Sequence, residues 1–374
     1  MTSDVDVSMR ILAVGHNVRQ IATSASRAGH LVLAADCYCD QDLVDAVSEA
    51  RRLGCDPSVP NNLVRAAREV VQDSLDGFSP DAVVLGSGLE DLVVKGVEVL
   101  NNPAQKVAQV SDKLWLARWL ERRGYPTIST ALPEDKGELE GWPLMVKPRT
   151  GAGGWKNRLI WDDEDEDLGG DLVVQEWVEG KPASVSVLGD GCQALAVAVN
   201  EQMIGTPWLG ARGFRYCGNL TPFYGSETAE MAEMSEEIVA ELGLVGSNGI
   251  DFLVTDRGPV VVEVNPRIQG SLDSVELSTG MSIFQAHLLS FRGALPERPV
   301  HYRRAAGRAI IFADRDLITG DLCGDWVADV PRAGSIFRRD EPVVSILAAG
   351  KNGQDVMDLL RKRSVTVRQG LRDA

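Results

Sequence analysis

Cysteine is scarce in this sequence, with six residues spread over 374 positions. Disulfide frameworks belong to short chains with closely spaced cysteines, so we expect free thiols here. Cys37 and Cys39 form a C-x-C pair, but no second pair lies at the spacing of a zinc site. A metal or redox role for these cysteines is therefore not the favoured interpretation.

Long apolar runs and an excess of basic residues are also missing. No stretch of about 18 apolar residues could span a membrane, and residues 1–10 lack the pattern of a signal peptide. The net charge of −16 opposes binding to nucleic-acid phosphates. We therefore predict a cytoplasmic protein with small-molecule partners, no nucleic acid and no membrane, and a homodimer as the default oligomer.

Strand-like and helix-like segments alternate at the start of the chain, which predicts a parallel sheet with right-handed crossovers. The strands are expected over 10–15, 30–36 and 81–88, and the helices over 18–29, 41–54 and the segment "NNLVRAAREVVQDSL". A dinucleotide site with Asp36 on the ribose is disfavoured, because the loop "GHNVRQ" has one of the three required glycines.

The loops at the carboxyl ends of these strands, "GHNVR" and "GSGLED", are expected to border a ligand crevice. His16 lies in the first loop and is the one histidine of four placed near a substrate. Arg19 would hold a substrate carboxylate there, or else be a solvated arginine at the start of a helix. No Ser-His-Asp or Cys-His arrangement stands out.

From residue 104 onward the pattern becomes a mixture of helices and antiparallel strands. Apolar residues at helical spacing run from Val107 to Leu120, and the helix stops at Gly124. Further on we expect a helix over 226–243, a hairpin in "GIDFLVTDRGPVVVEVNPR" and a last region of short strands and one helix. The acidic run at 162–167 is expected to be a solvated hairpin end.

The hairpin brings two acids together. If the hairpin turns around Arg257, the residue numbers of two cross-strand partners add up to about 514. Asp251 then faces Glu263. Strand alternation would place Val261, Glu263 and Asn265 on one face, with Val260, Val262 and Val264 on the opposite, buried face. Such oxygens suit Mg²⁺ with a phosphate ligand. The alternative is that these are ordinary solvent-facing residues of a sheet.

The segment "VKPRTGAGGWKN" joins two expected strands through a glycine-rich loop. A strand rather than a helix follows it, which excludes the phosphate loop of the helix-dipole type. The loop could instead fold over a triphosphate, with Lys147 supplying charge. A lysine beside a glycine turn is more often a solvent-exposed residue without a binding role. In "VVQEWVEG", backbone groups of residues 176–178 could bind an adenine, although an ordinary strand end has the same pattern.

The order of these segments resembles the ATP-grasp superfamily. The matching features are Ser111-Asp112-Lys113 on a helix, the strand with Lys147 and its glycine loop, "QEWVEG", and Asp251 followed by "EVNPR". The resemblance implies an ATP-grasp fold, mixed α/β and α+β, behind an N-terminal, Rossmann-like parallel-sheet domain. The implied domains are 1–103 before the grasp, 104–180 and 181–298 as its two subdomains, and 299–374 packing on the grasp.

The resemblance also implies roles for individual residues. ATP phosphates would contact Lys113 and Lys147, with residues 151–154, including Gly151, Gly153 and Gly154, closing over them. Adenine and ribose would lie against Glu176, Trp177, Val178 and Glu179. Many members have a glutamate for the ribose shortly after this hinge, and "GKPASVSV" lacks it, so the ribose contact falls to Glu179 or is missing. Asp251, Glu263 and Asn265 would hold Mg²⁺, with Mn²⁺ as the alternative ion, and Arg267 would neutralise the transferring phosphoryl group or the acyl phosphate.

Substrate contacts are expected in two further segments. Arg212 and Arg215 in "WLGARGFRYCGN" would clamp the carboxylate or its acyl phosphate, or else belong to a solvated loop. Ser271 in "QGSLDSVE" follows the metal strand and would face the substrate.

The resemblance implies an ATP-dependent carboxylate-amine ligase that forms an amide through an acyl phosphate and releases ADP and phosphate. Its small-molecule partners would be a carboxylic acid and an amine. An amino-acid ligation in the synthesis of a one-carbon cofactor, of the tetrahydromethanopterin or methanofuran type, is the finer expectation. The alternatives are a carboxylase or phosphotransferase of the same superfamily and a non-catalytic ATP-binding scaffold.

Overall fold

Five parallel strands form the first sheet of the computed structural model, which describes residues 8–55, 61–151, 153–154, 156–161, 168–297 and 299–374. The sheet order is β3-β2-β1-β4-β5. Its elements are β1 Arg10–Val14, α1 Arg19–Arg27, β2 Leu31–Asp36, α2 Gln41–Ala46, β3 Glu49–Arg52, α3 Asn62–Asp76, β4 Ala82–Leu85 and β5 Glu98–Val99. The predicted parallel sheet is confirmed.

Both faces of β1 are covered. Ile11 and Ala13 belong to one apolar cluster, and Leu12 and Val14 to another. Residues on alternate faces of a strand are all apolar when helices cover both sides of a parallel sheet. The first cluster also contains Phe284 from a later helix, so this sheet shares a core with the rest of the chain.

Two expectations for the N-terminal region were wrong. The helix predicted over 41–54 ends at Ala46, and the chain continues as the edge strand β3, where Glu49, Arg51 and neighbouring residues pair with β2. Cys37 and Cys55, expected to be free, form a disulfide with a Cα–Cα distance of 5.5 Å. Pairing of β2 with β3 brings these two cysteines together, which the helix prediction concealed.

The second sheet has four antiparallel strands in the order β6-β9-β7-β8. The elements of this region are α4 Ala104–Val110, α5 Lys113–Arg123, β6 Thr130–Ala131, a 3-10 helix Pro133–Glu138, β7 Leu144–Pro148, β8 Arg158–Ile160 and β9 Leu172–Glu176. The helix predicted to stop at Gly124 does so, but it is two helices. Asp112 interrupts it and caps α5, since its carboxylate accepts the N–H groups of Leu114 and Trp115.

The third sheet has eight antiparallel strands in the order β14-β13-β10-β11-β12-β15-β19-β17, so strands from before and after residue 298 form one sheet. A small sheet, β18-β16-β20, lies beside it. The elements are β10 Lys181–Asp190, β11 Ala194–Ile204, a 3-10 helix Pro207–Leu209, β12 Tyr216–Thr221, α6 Thr228–Glu241, β13 Val245–Thr255, β14 Gly258–Asn265, α7 Leu272–Thr279, α8 Ile283–Ser290, β15 Ala305–Phe312, β16 Leu317–Thr319, β17 Val327–Ala328, β18 Ile336–Phe337, β19 Pro342–Gly350, α9 Gly353–Gln369 and β20 Leu371–Asp373.

The β13–β14 hairpin has the predicted register at the end that carries Asp251 and Glu263. Asp251 pairs with Glu263, whereas Phe252 pairs with Val261, so Val262 is an extra residue in a β-bulge. The bulge changes the predicted faces, because Val261 joins Val264 in the core and Val262 turns to the opposite side. The assignment of Val262 to the buried face was therefore wrong.

Four buried charges join the three regions of the chain. Arg19 of α1 contacts Asp273 of α7 at 2.7 Å and Asp329, which follows β17, at 3.0 Å. Arg308 of β15 contacts the same two carboxylates at 3.6 and 2.8 Å. Burial alone would raise the pKa of Asp329, but the two guanidinium groups hold it well below its usual range. The four side chains form what we call the Arg19 network.

Among the described residues, no helix is both long and apolar enough to cross a membrane.

Replacing Asp273 by asparagine should destabilise the fold. The substitution keeps the shape of the side chain but leaves Arg19 and Arg308 short of a buried counter-charge, which we expect to lower the free energy of unfolding by about 3 kcal/mol or more. Urea denaturation followed by circular dichroism measures the change. The matched control is Glu98→Gln, because Glu98 joins Arg292 in an exposed ion pair between the same regions, and its loss should change stability by less than about 1 kcal/mol. Equal denaturation midpoints for the two variants would contradict the role of the network.

Candidate active site

A cavity of about 700 Å³ lies where the three regions meet. Its wall combines the loops after β1, β2 and β4, the glycine loop after β7, the functional end of the β13–β14 hairpin, and strands of the last region. The lining residues include His16, Tyr38, Asp40, Lys113, Lys147, Gly151, Gly153, Gly154, Gln202, Phe214, Asp251, Glu263, Asn265, Arg267, Ser271, Arg308 and Asp329. The cavity borders the carboxyl ends of the parallel strands, where the ligand crevice was predicted; ligand binding there stays a prediction.

Asp251 and Glu263 lie opposite each other on β13 and β14, and both line the cavity. The Asp251 carboxylate accepts hydrogen bonds from Gln202 Nε2 at 2.9 Å and Asn265 Nδ2 at 3.1 Å. Burial raises the pKa of Asp251 to about 7, and the negative charge of Glu263 adds to the rise. Two carboxylates held together in this way favour a cation between them.

Two lysines face this acidic pair. Lys113 is 7% exposed, and its Nζ lies 3.7 Å from Glu263 Oε1 while donating to the Gly151 carbonyl at 2.7 Å. Burial lowers the pKa of Lys147 to about 8, with the nearby positive charge of Lys113 acting in the same direction and Glu263 opposing it. Both lysines predicted to contact phosphates therefore lie beside the predicted metal ligands.

The glycine loop between β7 and β8 packs against a second loop. The Tyr216 N–H donates to the Gly153 carbonyl at 3.3 Å, and a Cβ on Gly154 would lie 1.8 Å from the Phe214 carbonyl oxygen. The φ angle of Gly154 is +70°, a backbone conformation that residues with a side chain rarely adopt. Glycine at 154 is thus required twice, by the backbone angle and by the close approach. Ala152 and Trp155 of this loop lie outside the described residues, as does the acidic run 162–167.

Arg267 also reaches the cavity, and the N-terminal region holds it there. Its Nε lies 2.8 Å from Glu90, in the loop "GSGLED" after β4, and its Nη2 donates to Asn265 Oδ1 at 3.4 Å. The Asn265 amide nitrogen points to Asp251 in this arrangement, so a metal-binding role for its oxygen requires rotation of the amide.

The predicted adenine segment lies next to the cavity rather than in its described wall. Trp177 packs edge-on against Phe214, with ring centroids 5.7 Å apart, and Phe214 does line the cavity. Glu176 Oε1 accepts the Glu140 N–H at 3.1 Å. The nucleotide contacts of Glu176, Trp177, Val178 and Glu179 stay predictions.

Three arginines predicted near the substrate are not in the described wall. Arg19 is held by carboxylates of the Arg19 network, and Arg212 is exposed in its loop. The Arg215 guanidinium donates to the Asp340 carbonyl and lies over the Phe312 ring. The arginines that do line the cavity are Arg267 and Arg308. The sequence did not indicate Arg308, because a single arginine on a strand is not part of any recognisable motif.

His16 and Ser271 lie in the wall as predicted. The His16 ring meets Tyr38 edge-on, with centroids 5.2 Å apart, and Ser271 Oγ lies 3.1 Å from Ser186 Oγ. Asp36, the ribose partner of the disfavoured dinucleotide interpretation, is fully buried and accepts N–H groups of the backbone. Tyr38 and Asp40 were missed, although they follow β2, where the rule for open sheets expects a ligand.

The acidic pair fits Mg²⁺ better than a metal held by protein side chains alone. No group of three or more His, Cys, Asp or Glu side chains placed to hold a metal is found in the part of the chain that the structure describes. Mg²⁺ is usually bound by one or two carboxylates together with substrate phosphates. Asp251 and Glu263 supply the two carboxylates, and Lys113 and Lys147 border the space for the phosphates.

Comparison with known proteins agrees with this geometry. The family model described as ATP-grasp domain matches residues 110–271. An uncharacterized protein of Methanocaldococcus jannaschii is 24% identical over 363 residues, covering 91% of this chain and 88% of that protein. The chain therefore carries an ATP-grasp domain.

Solved structures show the same fold over nearly the whole chain. The biotin carboxylase domain of Hydrogenobacter thermophilus 2-oxoglutarate carboxylase, solved as a dimer with MgADP, ADP and bicarbonate, has a TM-score of 0.76 at 16% identity and covers 98% of this chain and 91% of that chain. The L-amino acid ligase from Bacillus licheniformis has a TM-score of 0.70 at 18% identity and covers 98% of each chain. The fold is the ATP-grasp fold behind an N-terminal parallel sheet.

Replacing Gly154 by alanine should weaken nucleotide binding. The added Cβ must move the glycine loop away from the backbone of Phe214 and strain a positive φ angle, so we expect the Kd for MgATP to rise at least tenfold in isothermal titration calorimetry. Gly137→Ala is the matched control, because nothing lies within 4 Å of the Cβ position there. If both variants bind MgATP with the affinity of the unmodified protein, the packed position of the loop has no part in binding.

Proposed function

We propose that the protein is an ATP-dependent carboxylate-amine ligase that releases ADP and phosphate. The observation that carries the proposal is that one cavity gathers the Asp251–Glu263 pair, Lys113, Lys147 and Arg267. These groups match what phosphoryl transfer requires, namely charge neutralisation and positioning without a protein nucleophile. The ATP-grasp domain supports ATP as the phosphoryl donor.

In the proposed reaction, a carboxylate oxygen of the acid forms a bond to the γ-phosphorus of ATP, and the bond to the β-phosphate oxygen breaks to release ADP. The nitrogen of an amine then bonds to the acyl carbon, and phosphate leaves as the amine loses a proton. Asp251 and Glu263 would hold Mg²⁺, which neutralises phosphate charge when bound. Lys113, Lys147 and Arg267 would balance the remaining negative charge of the phosphates.

Similarity to an L-amino acid ligase over 98% of both chains supports amide formation as the second half of the reaction. The predicted amino-acid ligation in one-carbon cofactor synthesis stays a prediction, and amino acids therefore belong among the acids and amines to be tested. Mn²⁺ as an alternative ion and a homodimer also stay predictions; the biotin carboxylase relative was solved as a dimer.

A carboxylase is the second candidate, and one observation favours it. The biotin carboxylase domain of Hydrogenobacter thermophilus has a TM-score of 0.76 with this chain, and its structure contains bicarbonate. The two candidates differ in what ADP release requires. A carboxylase needs bicarbonate, whereas a ligase needs a carboxylic acid and an amine together.

The test is a coupled ADP-release screen over carboxylic acids paired with amines, with bicarbonate added in a separate series. The ligase proposal predicts release only when both an acid and an amine are present. Glu263→Ala should lower this release at least about 100-fold, because a group that helps to neutralise transferring charge is lost.

The matched control for the screen is Glu233→Ala, since Glu233 is exposed on α6 away from the cavity. This variant should release ADP at the rate of the unmodified protein. Release that follows bicarbonate alone would reject the ligase in favour of the carboxylase. Equal rates for Glu263→Ala and Glu233→Ala would contradict the assignment of the acidic pair.

A further inference from the structure

Asp40 is a buried carboxylate that faces the cavity without a partner. It follows β2, is 7% exposed and lines the cavity wall. Among the described residues, no side chain or backbone N–H donates a hydrogen bond to its carboxylate, and none forms an ion pair with it. Asp40 also precedes α2 at a position where aspartate usually caps a helix, yet its carboxylate makes no capping bond. Its oxygens are therefore available to a ligand.

The three carboxylates around Asp40 are all engaged. Asp36 accepts the N–H groups of Val18, Tyr38 and Cys39. Asp42 accepts the N–H groups of Asp329 and Val330 at 3.0 and 2.8 Å. Asp329 is held by the arginines of the Arg19 network. These bonds leave Asp40 as the carboxylate of this cluster that lacks a partner.

The neighbouring carboxylates favour a positively charged ligand beside Asp40. Burial raises the pKa of Asp40 to about 8, and the negative charges of Asp329, Asp36 and Asp42 add to the rise, while Arg19 opposes it. A cation in contact with the carboxylate would relieve both the desolvation and the repulsion. The surroundings of Asp40 thus disfavour its charged form, and a cationic ligand would stabilise that form.

An ammonium group fits this position better than a metal ion. A hard metal ion needs several oxygen ligands, and no set of three or more acids, histidines or cysteines placed for a metal occurs within the described ranges. An ammonium group needs one carboxylate and tolerates aromatic neighbours, because aromatic rings attract cations. Tyr38 and His16 supply such rings in the same wall.

We propose that Asp40 binds the ammonium group of a substrate, so that at least one substrate of this cavity is an amino acid or a diamine. The inference rests on the proposed function only in taking the bound ammonium compound to be a substrate. Asp40 would act as a binding residue that selects for positive charge, at the wall formed by the N-terminal region. The phosphate-binding groups lie on the wall formed by the grasp.

Binding measured without turnover tests this proposal. Isothermal titration calorimetry in the presence of MgADP would use the twenty protein amino acids and the diamines with three to five carbons as probes. Each probe that binds is then compared with the analogue in which a hydroxyl group replaces the ammonium group. We expect at least one probe to bind and its hydroxyl analogue to bind at least tenfold more weakly.

The variant Asp40→Asn should raise the Kd of that probe at least tenfold. Asp45→Asn is the matched control, because Asp45 is exposed on α2, the helix that directly follows Asp40, and this variant should bind the probe as the unmodified protein does. Unchanged MgATP binding by both variants shows that they are folded. The proposal is overturned if no probe binds, if the hydroxyl analogue binds equally well, or if Asp40→Asn leaves the Kd unchanged.

The pH dependence gives a second readout. Asp40 should lose its proton as the pH rises through about 8, which is its pKa, whereas the ammonium group of a lysine side chain or a diamine, with a pKa of about 10, keeps its charge over most of this range. The affinity of the probe should therefore increase with pH in the unmodified protein. Asp36, Asp42, Asp329 and Arg19 face Asp40 in both proteins, so Asp40→Asn should remove the increase. The same slope in both proteins would contradict the proposal.

The outcomes separate this inference from the proposed ligase. Binding of an ammonium compound through Asp40 without ADP release from any pair would reject the ligase and retain the ammonium site. If ADP release requires an amine but Asp40→Asn leaves the affinity for the ammonium probe unchanged, the ligase is retained and the ammonium site at Asp40 is rejected.

Discussion

The Arg19 network is the interaction on which the position of the cavity depends. Each of its four charges comes from a different element, and together they join the N-terminal sheet, the grasp and the last region. Each of the two guanidinium groups contacts both Asp273 and Asp329, which makes a buried arrangement tolerable, whereas a missing partner would leave an uncompensated charge. Asp329 and Arg308 also line the cavity, so the groups that hold the regions together form part of the site. Arg19 also lies 3.5 Å from Asp42, so the two arginines are shared among three carboxylates and form no ion pair with Asp40.

The end of the cavity that holds Asp251 and Glu263 depends on two local departures from regular structure. A bulge at Val262 keeps Asp251 opposite Glu263 while Val261 and Val264 both stay in the core. Glycine at 154 lets one loop touch the backbone of another at a distance that a side chain would forbid. Both features place charged groups around one space without exposing the apolar core. The acids then face lysines across that space, and this arrangement suits a nucleotide with its metal ion.

The sequence predicted the parts of this arrangement that depend on local pattern. Alternation of apolar segments predicted the parallel sheet, and the hairpin turn placed Asp251 opposite Glu263. The bulge was not predictable, because three valines in a row fit either face of a strand. The helix expected over 41–54 failed for a similar reason: its second half pairs with β2, and tertiary pairing outweighed helical propensity. That error also hid the approach of Cys37 to Cys55. Arg308 and Asp40 were missed because their roles come from the residues around them, which are distant in sequence.

The proposed ligase reaction requires a carboxylate to attack the γ-phosphate of ATP in this cavity. An isotope-transfer experiment tests this step with the acid and amine that give the fastest ADP release, with ¹⁸O in the carboxylate of the acid. Attack by the carboxylate and later release of phosphate from the acyl carbon must transfer one labelled oxygen to the inorganic phosphate. We expect phosphate that carries a single ¹⁸O, detected by ³¹P nuclear magnetic resonance or mass spectrometry. Unlabelled phosphate from labelled acid would contradict the acyl-phosphate route and, with it, the proposed ligase.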